Sequence, residues 1–286
     1  MGIMSYRKAV LGQNFLINKK IARNIIDICN FSAEDDVLEI GPGEGILTEL
    51  IIGNTKTFTM IEIDPFYFNF IKGKFHISDS INNTKHNGIN IVNEDALKYD
   101  YRGLSFKLSP KIRVVSNLPY EISSPIMDRF IREKEVIADL TLMFQKEFAG
   151  RLCAKENDSQ RGALSVIMDI NFEITKLLDV DKSNFNPAPK VDSTVLRLNP
   201  RYHADKDFIW AANTPFFSHF VHQTFKCRRK KLKNSIYASF FEMPPDIKNK
   251  IFTELNIDLN KRPQELTTVE FINAAKGYDD YLKNRG

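Results

Sequence analysis

The chain has 286 residues, 43% of them hydrophobic and 27% charged, a balance that excludes a disordered chain and predicts one large packed domain with an appendage. No apolar run approaches the roughly 20 residues a membrane-spanning helix needs, and residues 1–20 carry no apolar leader core, so a cytoplasmic protein with no membrane partner is expected. The net charge is only +4 but unevenly spread: residues 1–24 hold five Lys/Arg and no acid, residues 200–286 hold fifteen Lys/Arg against ten Asp/Glu, and the stretch between is acidic, as in a chain that grips a polyanion at its flanks or merely carries a solvated surface.

Taken in chain order, Asp36 to Ile40 reads as a buried strand, followed by a Gly-rich turn and a helix over Ile46 to Ile52. Thr57 to Ile63 is a second strand, stopped by Asp64-Pro65, and Phe66 to Phe75 a helix. His76 to Gly88 is polar and predicts a long exposed loop. Ile89 to Val92 and Ile112 to Ser116 are the third and fourth strands. Strands that alternate with helices predict an α/β fold with a parallel sheet covered on both faces, which binds its ligand beyond the carboxyl ends of the strands. Ala163 to Leu178 and Val191 to Leu198 read as strands flanking a turn at Phe185-Asn186-Pro187-Ala188-Pro189. Beyond Asn199-Pro200-Arg201 the apolar spacing turns helical (Phe216, Phe220, Val221, Phe225, then Leu232, Ile236, Phe240), which predicts a boundary between residues 1–203 and a small all-α domain over 204–286.

Glu39-Ile40-Gly41-Pro42-Gly43-Glu44-Gly45 follows the first strand. Its glycines permit a sharp turn and close approach of a ligand, though such a turn alone is equally a tight connection. The spacing is Gly-x-Gly-x-Gly, with Ile46 where a dinucleotide binder has its third glycine, and the acids around it oppose a pyrophosphate and suit a cationic sulfonium. Glu62 ends the second strand, where an acid can accept hydrogen bonds from both ribose hydroxyls. The third strand ends at Asn93-Glu94-Asp95, and Asp95 is the residue chosen to accept from the cofactor's adenine amino group, with Glu94 the alternative.

The fourth strand runs into Asn117-Leu118-Pro119-Tyr120. The N6 lone pair of adenine is delocalised into the ring, so the amine is a weak nucleophile. The Asn117 side-chain carbonyl and a nearby backbone carbonyl can accept its N–H bonds and favour a pyramidal nitrogen. Pro119 stiffens the turn, and Tyr120 can stack on an extruded base. These four residues are therefore read as catalytic.

Together these motifs resemble the ribosomal RNA adenine dimethylases, and within them the KsgA (RsmA) type. The resemblance covers nearly the whole chain: Gly12-Gln13-Asn14-Phe15-Leu16, Leu38 to Gly45, Ile61 to Asp64, Asn117 to Tyr120, Gln145-Lys146-Glu147, Asn186 to Ser193, Arg228-Arg229-Lys230-Lys231-Leu232 and Arg262-Pro263-Gln264-Glu265-Leu266. It implies a Rossmann-like class I S-adenosylmethionine-dependent methyltransferase sheet, with S-adenosyl-L-methionine held by Asn14, Leu16, Gly41, Gly43, Glu62, Asp95 and Asn117, residues 13–16 lying as a lid. It implies as substrate two adjacent adenosines in the 3′-terminal hairpin of 16S rRNA, within a pre-assembled small ribosomal subunit. Glu121 departs from the family's frequent Asn, and the loop from His76 to Gly88 is longer than usual.

Lys226 to Lys233 holds six Lys/Arg in eight residues and is expected to continue a helix. Arg228, Arg229, Lys230 and Lys231 are read as phosphate contacts, a solvated helical face being the plainer alternative. Cys29, Cys153 and Cys227 are odd in number and contain no Cys-x-x-Cys pair, so neither a disulfide framework nor a zinc cluster is expected. His219 and His222 lack an evident third ligand, and no metal is assigned. A monomer is expected, since no apolar heptad is present. Two rival readings stand beside the small-subunit dimethylase: a large-subunit (23S) rRNA methyltransferase of the macrolide-resistance type, and a small-subunit assembly factor without catalysis. Intact Asn117, Tyr120, Glu62 and Asp95 argue against the latter.

Overall fold

The computed structural model describes residues 14–77, 88–107, 111–234, 244, 249 and 252–284. The chain forms two compact units, one of residues 1–149 with 174–200, the other of 150–173 with 201–286.

The first unit begins with a short strand, β1 (Phe15–Leu16), and helix α1 (Lys19–Cys29). The Asn18 side chain caps α1 by accepting from the N–H groups of Lys20 and Ile21. The helix ends at Asn30, in the left-handed conformation at φ 52°. The strands that follow are β2 (Asp36–Ile40), β3 (Thr57–Glu62), β4 (Ile89–Asn93), β5 (Ile112–Asn117), β6 (Ile137–Gln145), β7 (Phe172–Val180), β8 (Phe185–Asn186) and β9 (Ser193–Pro200). Between them lie α2 (Thr48–Ile51), α3 (Pro65–Lys74), α4 (Tyr101–Lys107), α5 (Ser123–Arg132) and α6 (Lys146–Cys153). All five residues of β2 are buried, which is the burial of a central strand covered on both faces.

Seven strands form one sheet in the order β4-β3-β2-β5-β6-β9-β7. The pairs from β4 to β6 are parallel, and β6 pairs antiparallel with β9. The chain winds outward from β2 through β3 to β4, then returns to place β5 on the other side of β2. That reversal makes a switch point between β2 and β5, and it opens a crevice at the carboxyl ends of the strands. The register keeps those ends level: Ile40 stands opposite Ile61, Glu62 opposite Asn93, and Glu39 opposite Val115, two residues before Asn117. β1 and β8 pair antiparallel as a separate ribbon, Phe15 opposite Asn186 and Leu16 opposite Phe185.

Arg113 on β5 ties α1 to the sheet. Its guanidinium pairs with Asp35 at 2.9 Å and Asp139 at 2.7 Å, and donates to the carbonyls of Cys29 and Asn30. Its plane also lies 4.9 Å from the Phe31 ring. Five donors in a fixed fork satisfy two carboxylates and two helix-terminal carbonyls at once.

The second unit contains the helices α7 (Ala163–Asn171), α8 (Lys206–Asn213), α9 (Pro215–Phe225) and α10 (Thr268–Lys283), with the end of α6 and the first two residues of β7. Side-chain caps start three of them: Asp205 for α8, Thr214 ahead of Pro215 for α9, and Thr267 with Glu270 as a capping box for α10. Val166, Ile170, Phe217, Phe220, Phe271 and Ile272 share its core.

The α/β sheet with a helical appendage expected from the sequence is what forms, with four corrections. Residues 163–171 are helical rather than extended, because Val166 and Ile170 lie one helical turn apart and enter the core of α8, α9 and α10. For the same reason residues 150–173 join the helical unit, so the division does not fall simply at residues 203 and 204. The helix expected over residues 46–52 contracts to Thr48–Ile51, since the Gly-rich turn consumes Ile46 and Leu47. The helix expected to run through Lys226 to Lys233 stops at Phe225. Turns carry the chain from there, and the N–H of Leu232 donates to the Lys261 carbonyl, which buries Leu232 and leaves the cations outside. Gln13, most of the loop at 76–88, Ile236 and Phe240 lie outside the described residues.

Candidate active site

A cavity of about 250 Å³ opens at the switch point. Asn14, Leu16, Gly41, Gly43, Glu62, Asp95, Asn117, Leu118, Pro119 and Tyr120, the ten residues singled out for cofactor and catalysis, all line it. They come from four separate strand ends and the β1 segment, and the level register brings them together.

The turn after β2 is built by glycines in the left-handed region, Gly41 at φ 64°, Gly43 at φ 55° and Gly45 at φ 80°. The Gly41 N–H donates to the Ile61 carbonyl at 2.8 Å, which locks the turn to the end of β3. At Gly43 space is as strict as backbone angle. A Cβ there would sit 2.4 Å from the Phe15 ring, so the bare backbone is what lets β1 close over the turn.

Of the six carboxyl side chains that line the cavity, Glu39 and Glu62 are buried and Asp95 is half-buried. Glu39 is 2% exposed and accepts from the Thr48 hydroxyl at 2.6 Å. Burial, with the nearby negative charge of Glu62, pushes its carboxyl up to about 8. Glu62 is equally buried and accepts from the N–H groups of Gly43 at 3.3 Å and Asp64 at 2.9 Å. Burial raises it, and those two N–H groups partly offset the rise. Asp95 is half-buried, and its Oδ1 accepts from the Leu97 N–H at 2.9 Å. Asn93 supports the β4 end by donating its amide to the Glu62 carbonyl at 2.7 Å. Glu94 also lines the cavity but is exposed, which favours Asp95 for a hydrogen bond that must exclude water.

This donor set fits a cationic nucleoside. Glu62 at the end of β3 and Asp95 after β4 offer acceptors to hydroxyl and amine groups, and Glu39, neutral near pH 7, can ionise beneath the Gly-rich turn when a cation enters. A pyrophosphate there would face two buried carboxyl groups, and among the described residues no Lys or Arg lines the cavity.

Asn117 ends β5 and donates its Nδ2 to the Asn14 carbonyl at 3.1 Å. A carbonyl demands a donor, so this bond fixes the amide orientation and leaves Oδ1 as the acceptor. It also joins the turn after β5 to the β1 segment. Ser116 donates to the Ile40 carbonyl at 2.5 Å and holds β5 against β2 immediately before the turn. Leu118 is buried, and Pro119 leads into a single 3-10 turn over Tyr120–Ile122. The Tyr120 phenol meets the Ser193 hydroxyl at 2.8 Å. Burial raises the Tyr120 phenol, and Ser193 offsets part of that, so the side chain is neutral near pH 7.

Sequence reasoning placed Phe15 in the lid segment and Ser193 in a family motif but gave neither a role of its own. Phe15 becomes legible only through the closeness of Gly43, and Ser193 only through the pairing of β9 with β6. The cluster of cations lies in the other unit. Arg228, Arg229, Lys230 and Lys231 are all exposed, with Arg228 donating to the Ser159 carbonyl at 2.6 Å. Among the described residues, no group of three or more His, Cys, Asp or Glu side chains is placed to hold a metal ion, and no helix is long and apolar enough to cross a membrane.

Comparison with known proteins adds to this geometry. The family described as ribosomal RNA adenine dimethylase matches residues 4–277. Proteins named ribosomal RNA small subunit methyltransferase A from Francisella tularensis, subspecies novicida and tularensis, are each 34% identical over 268 residues, covering 94% of this chain and 96% of theirs. A crystal structure of a dimethyladenosine transferase from Plasmodium falciparum superposes with a TM-score of 0.75 at 25% identity, covering 93% of this chain and 98% of that one. The structure of the 23S rRNA methyltransferase ErmE shares the fold, with a TM-score of 0.65 at 24% identity, covering 93% of this chain and all of that one.

Proposed function

Because the chain belongs to the ribosomal RNA adenine dimethylase family, and is thus an S-adenosylmethionine-dependent rRNA adenine methyltransferase, we propose that its substrate is 16S rRNA within the small ribosomal subunit. There it dimethylates N6 of two adjacent adenosines in the 3′-terminal hairpin, acting in the cytoplasm as a monomer during subunit biogenesis. The relatives named for the small subunit, at 34% identity over 94% of the chain, support this branch above the large-subunit one.

S-adenosylmethionine supplies an electrophilic methyl group on its sulfonium. The protein's own part is to bind, orient and desolvate. Leu16 and Phe15 cover the Gly-rich turn, Glu62 and Asp95 hold the nucleoside end, and Glu39 favours positive charge at the other. The observation that carries catalysis is the committed amide of Asn117. With Nδ2 bound to Asn14, Oδ1 is left to accept an N–H of the incoming adenine, which draws the N6 lone pair out of conjugation. Tyr120 offers a ring face on which the extruded base stacks. Holding the reactants in one geometry accounts for most of the acceleration, and no strong general base is needed, since the nitrogen grows acidic as the methyl arrives.

The helical unit carries the RNA contacts. Arg229, Lys230 and Lys231, with Arg228 pinned to Ser159, give phosphate affinity without sequence choice. The test is transfer of labelled methyl groups to undermethylated small subunits, large subunits and naked rRNA, mapped by nucleoside mass spectrometry. Dimethyladenosine in small-subunit RNA is the expected product. Label confined to large-subunit RNA overturns the branch. Tight subunit binding with no transfer to any RNA would leave an assembly factor.

A further inference from the structure

From the Tyr120–Ser193 contact we infer that Ser193 is a positioning residue for methyl transfer, setting the tilt of the Tyr120 ring on which the target adenine stacks. The inference rests on the reading of Tyr120 as the stacking residue.

Ser193 is wholly buried and is the first residue of β9. It stands opposite Gln145 at the end of β6, and next to it the Lys146 N–H donates to the Asp192 carbonyl at 2.9 Å. Its neighbour Thr194 is fastened on the opposite face of the strand to Asp179 at 2.7 Å. The hydroxyl of Ser193 is therefore held by a strand clamped on both sides. Tyr120, by contrast, sits half-exposed on one 3-10 turn of three residues. A ring in such a turn can pivot about its side-chain torsions, and a stacked base follows whatever tilt it takes. The 2.8 Å bond from the para oxygen to Ser193 stops the swing about the first torsion, because it pins the end of the ring furthest from the backbone, and the preference of a phenol's hydrogen bonds for the ring plane biases rotation about the second.

The consequence is kinetic and confined to the acceptor side. Ser193 does not line the cavity, whereas the residues assigned to the cofactor do. Loss of its hydroxyl frees the ring without removing its stacking surface. The nitrogen then spends less time aligned with the methyl group, and kcat falls by about tenfold while cofactor affinity stays unchanged.

The experiment compares Ser193→Ala, Ser193→Thr, Tyr120→Phe, the Ser193→Ala/Tyr120→Phe double variant and Tyr120→Ala, with undermethylated small subunits as substrate. Calorimetric titration with S-adenosylmethionine runs in parallel. The expected result is an equal loss of kcat in Ser193→Ala, Tyr120→Phe and the double variant, with cofactor Kd as in the parent and recovery in Ser193→Thr, which keeps the hydroxyl. Full activity in Ser193→Ala beside an impaired Tyr120→Phe overturns the inference. So does a double variant whose defect is the product of the single ones. Undiminished transfer by Tyr120→Ala would overturn the stacking role itself, and the inference with it.

Discussion

Glu39 and Glu62 lie on adjacent parallel strands, each 2% exposed, and border the same cavity. Burial, and the second charge, hold Glu39 at about 8. A cation entering the cavity favours the ionised form, so adding S-adenosylmethionine at pH 7 is expected to release protons. Calorimetry in Tris and in phosphate should give different apparent enthalpies for the parent and equal ones for Glu39→Gln; equal enthalpies for the parent would remove this account. The same shift has a stability sign. The folded value lies above the unfolded one of about 4.3, so the neutral group's contribution is complete below that value and is lost as pH rises through about 8. Melting temperature should fall across pH 6–9 in the parent and fall less in Glu39→Gln.

Asn117→Ala removes the acceptor at the end of β5 together with its bond to Asn14. Loss of one preorganised polar group in a water-excluded site lowers kcat by about 10² to 10³. Cofactor affinity should weaken far less. Retained turnover with labelled donor would place the critical acceptor elsewhere.

Gly43→Ala sets a Cβ against the Phe15 ring at 2.4 Å and forces a non-glycine residue to φ 55°. The backbone penalty alone is about 1–2 kcal/mol, and the collision must also displace β1. The variant should therefore lose cofactor affinity by more than it loses melting temperature. Gly43→Ala combined with Phe15→Ala should melt higher than Gly43→Ala alone, while affinity stays low because the cover is gone.

Arg113→Met leaves Asp35 and Asp139 without their shared partner, in a site where the guanidinium is only 16% exposed. Stranding carboxylates at a largely buried site costs about 3–5 kcal/mol in denaturant titration. Burial pushes Asp35 up, but the Ser32 N–H and the Arg113 side chain outweigh it and hold the carboxyl below its usual value. Its stability contribution is present above the unfolded value and is lost as pH falls through the lowered one. Arg113→Met should therefore show a shallower loss of stability on acidification.

Replacing Arg229, Lys230 and Lys231 with Ala is expected to weaken subunit binding without altering cofactor Kd. Three phosphate contacts on RNA account for a slope of about two in log affinity against log salt. The triple variant's slope should be shallower by that amount, and an unchanged slope would free these residues from the RNA interface.

The site was more legible in the sequence than the fold around it. Gly41, Glu62, Asp95 and Asn117 each end or closely follow a strand, and a parallel sheet must bring such ends together, so order along the chain implied proximity. Residues 163–171 misled because Val166, Ile167, Met168 and Ile170 form a dense apolar run, which by itself fits a buried strand as well as a helix. The cations after Phe225 misled for the converse reason. Helical spacing between Phe225 and Leu232 is compatible with a continuing helix, but Leu232 is held by the carbonyl of Lys261, a partner 29 residues away that no local pattern announces. Ser193 was hidden in the same manner, since Tyr120 lies 73 residues before it.

The chain crosses between its two units after residues 149, 173 and 200. The helical unit is therefore not a detachable cassette. A truncation after residue 200 would strand α7, with Val166 and Ile170 stripped of the apolar surface that α8, α9 and α10 provide. Exchange of this unit between relatives would have to carry both segments, and residues 150–173, with helix α7, must be transplanted along with the tail whose packing they complete.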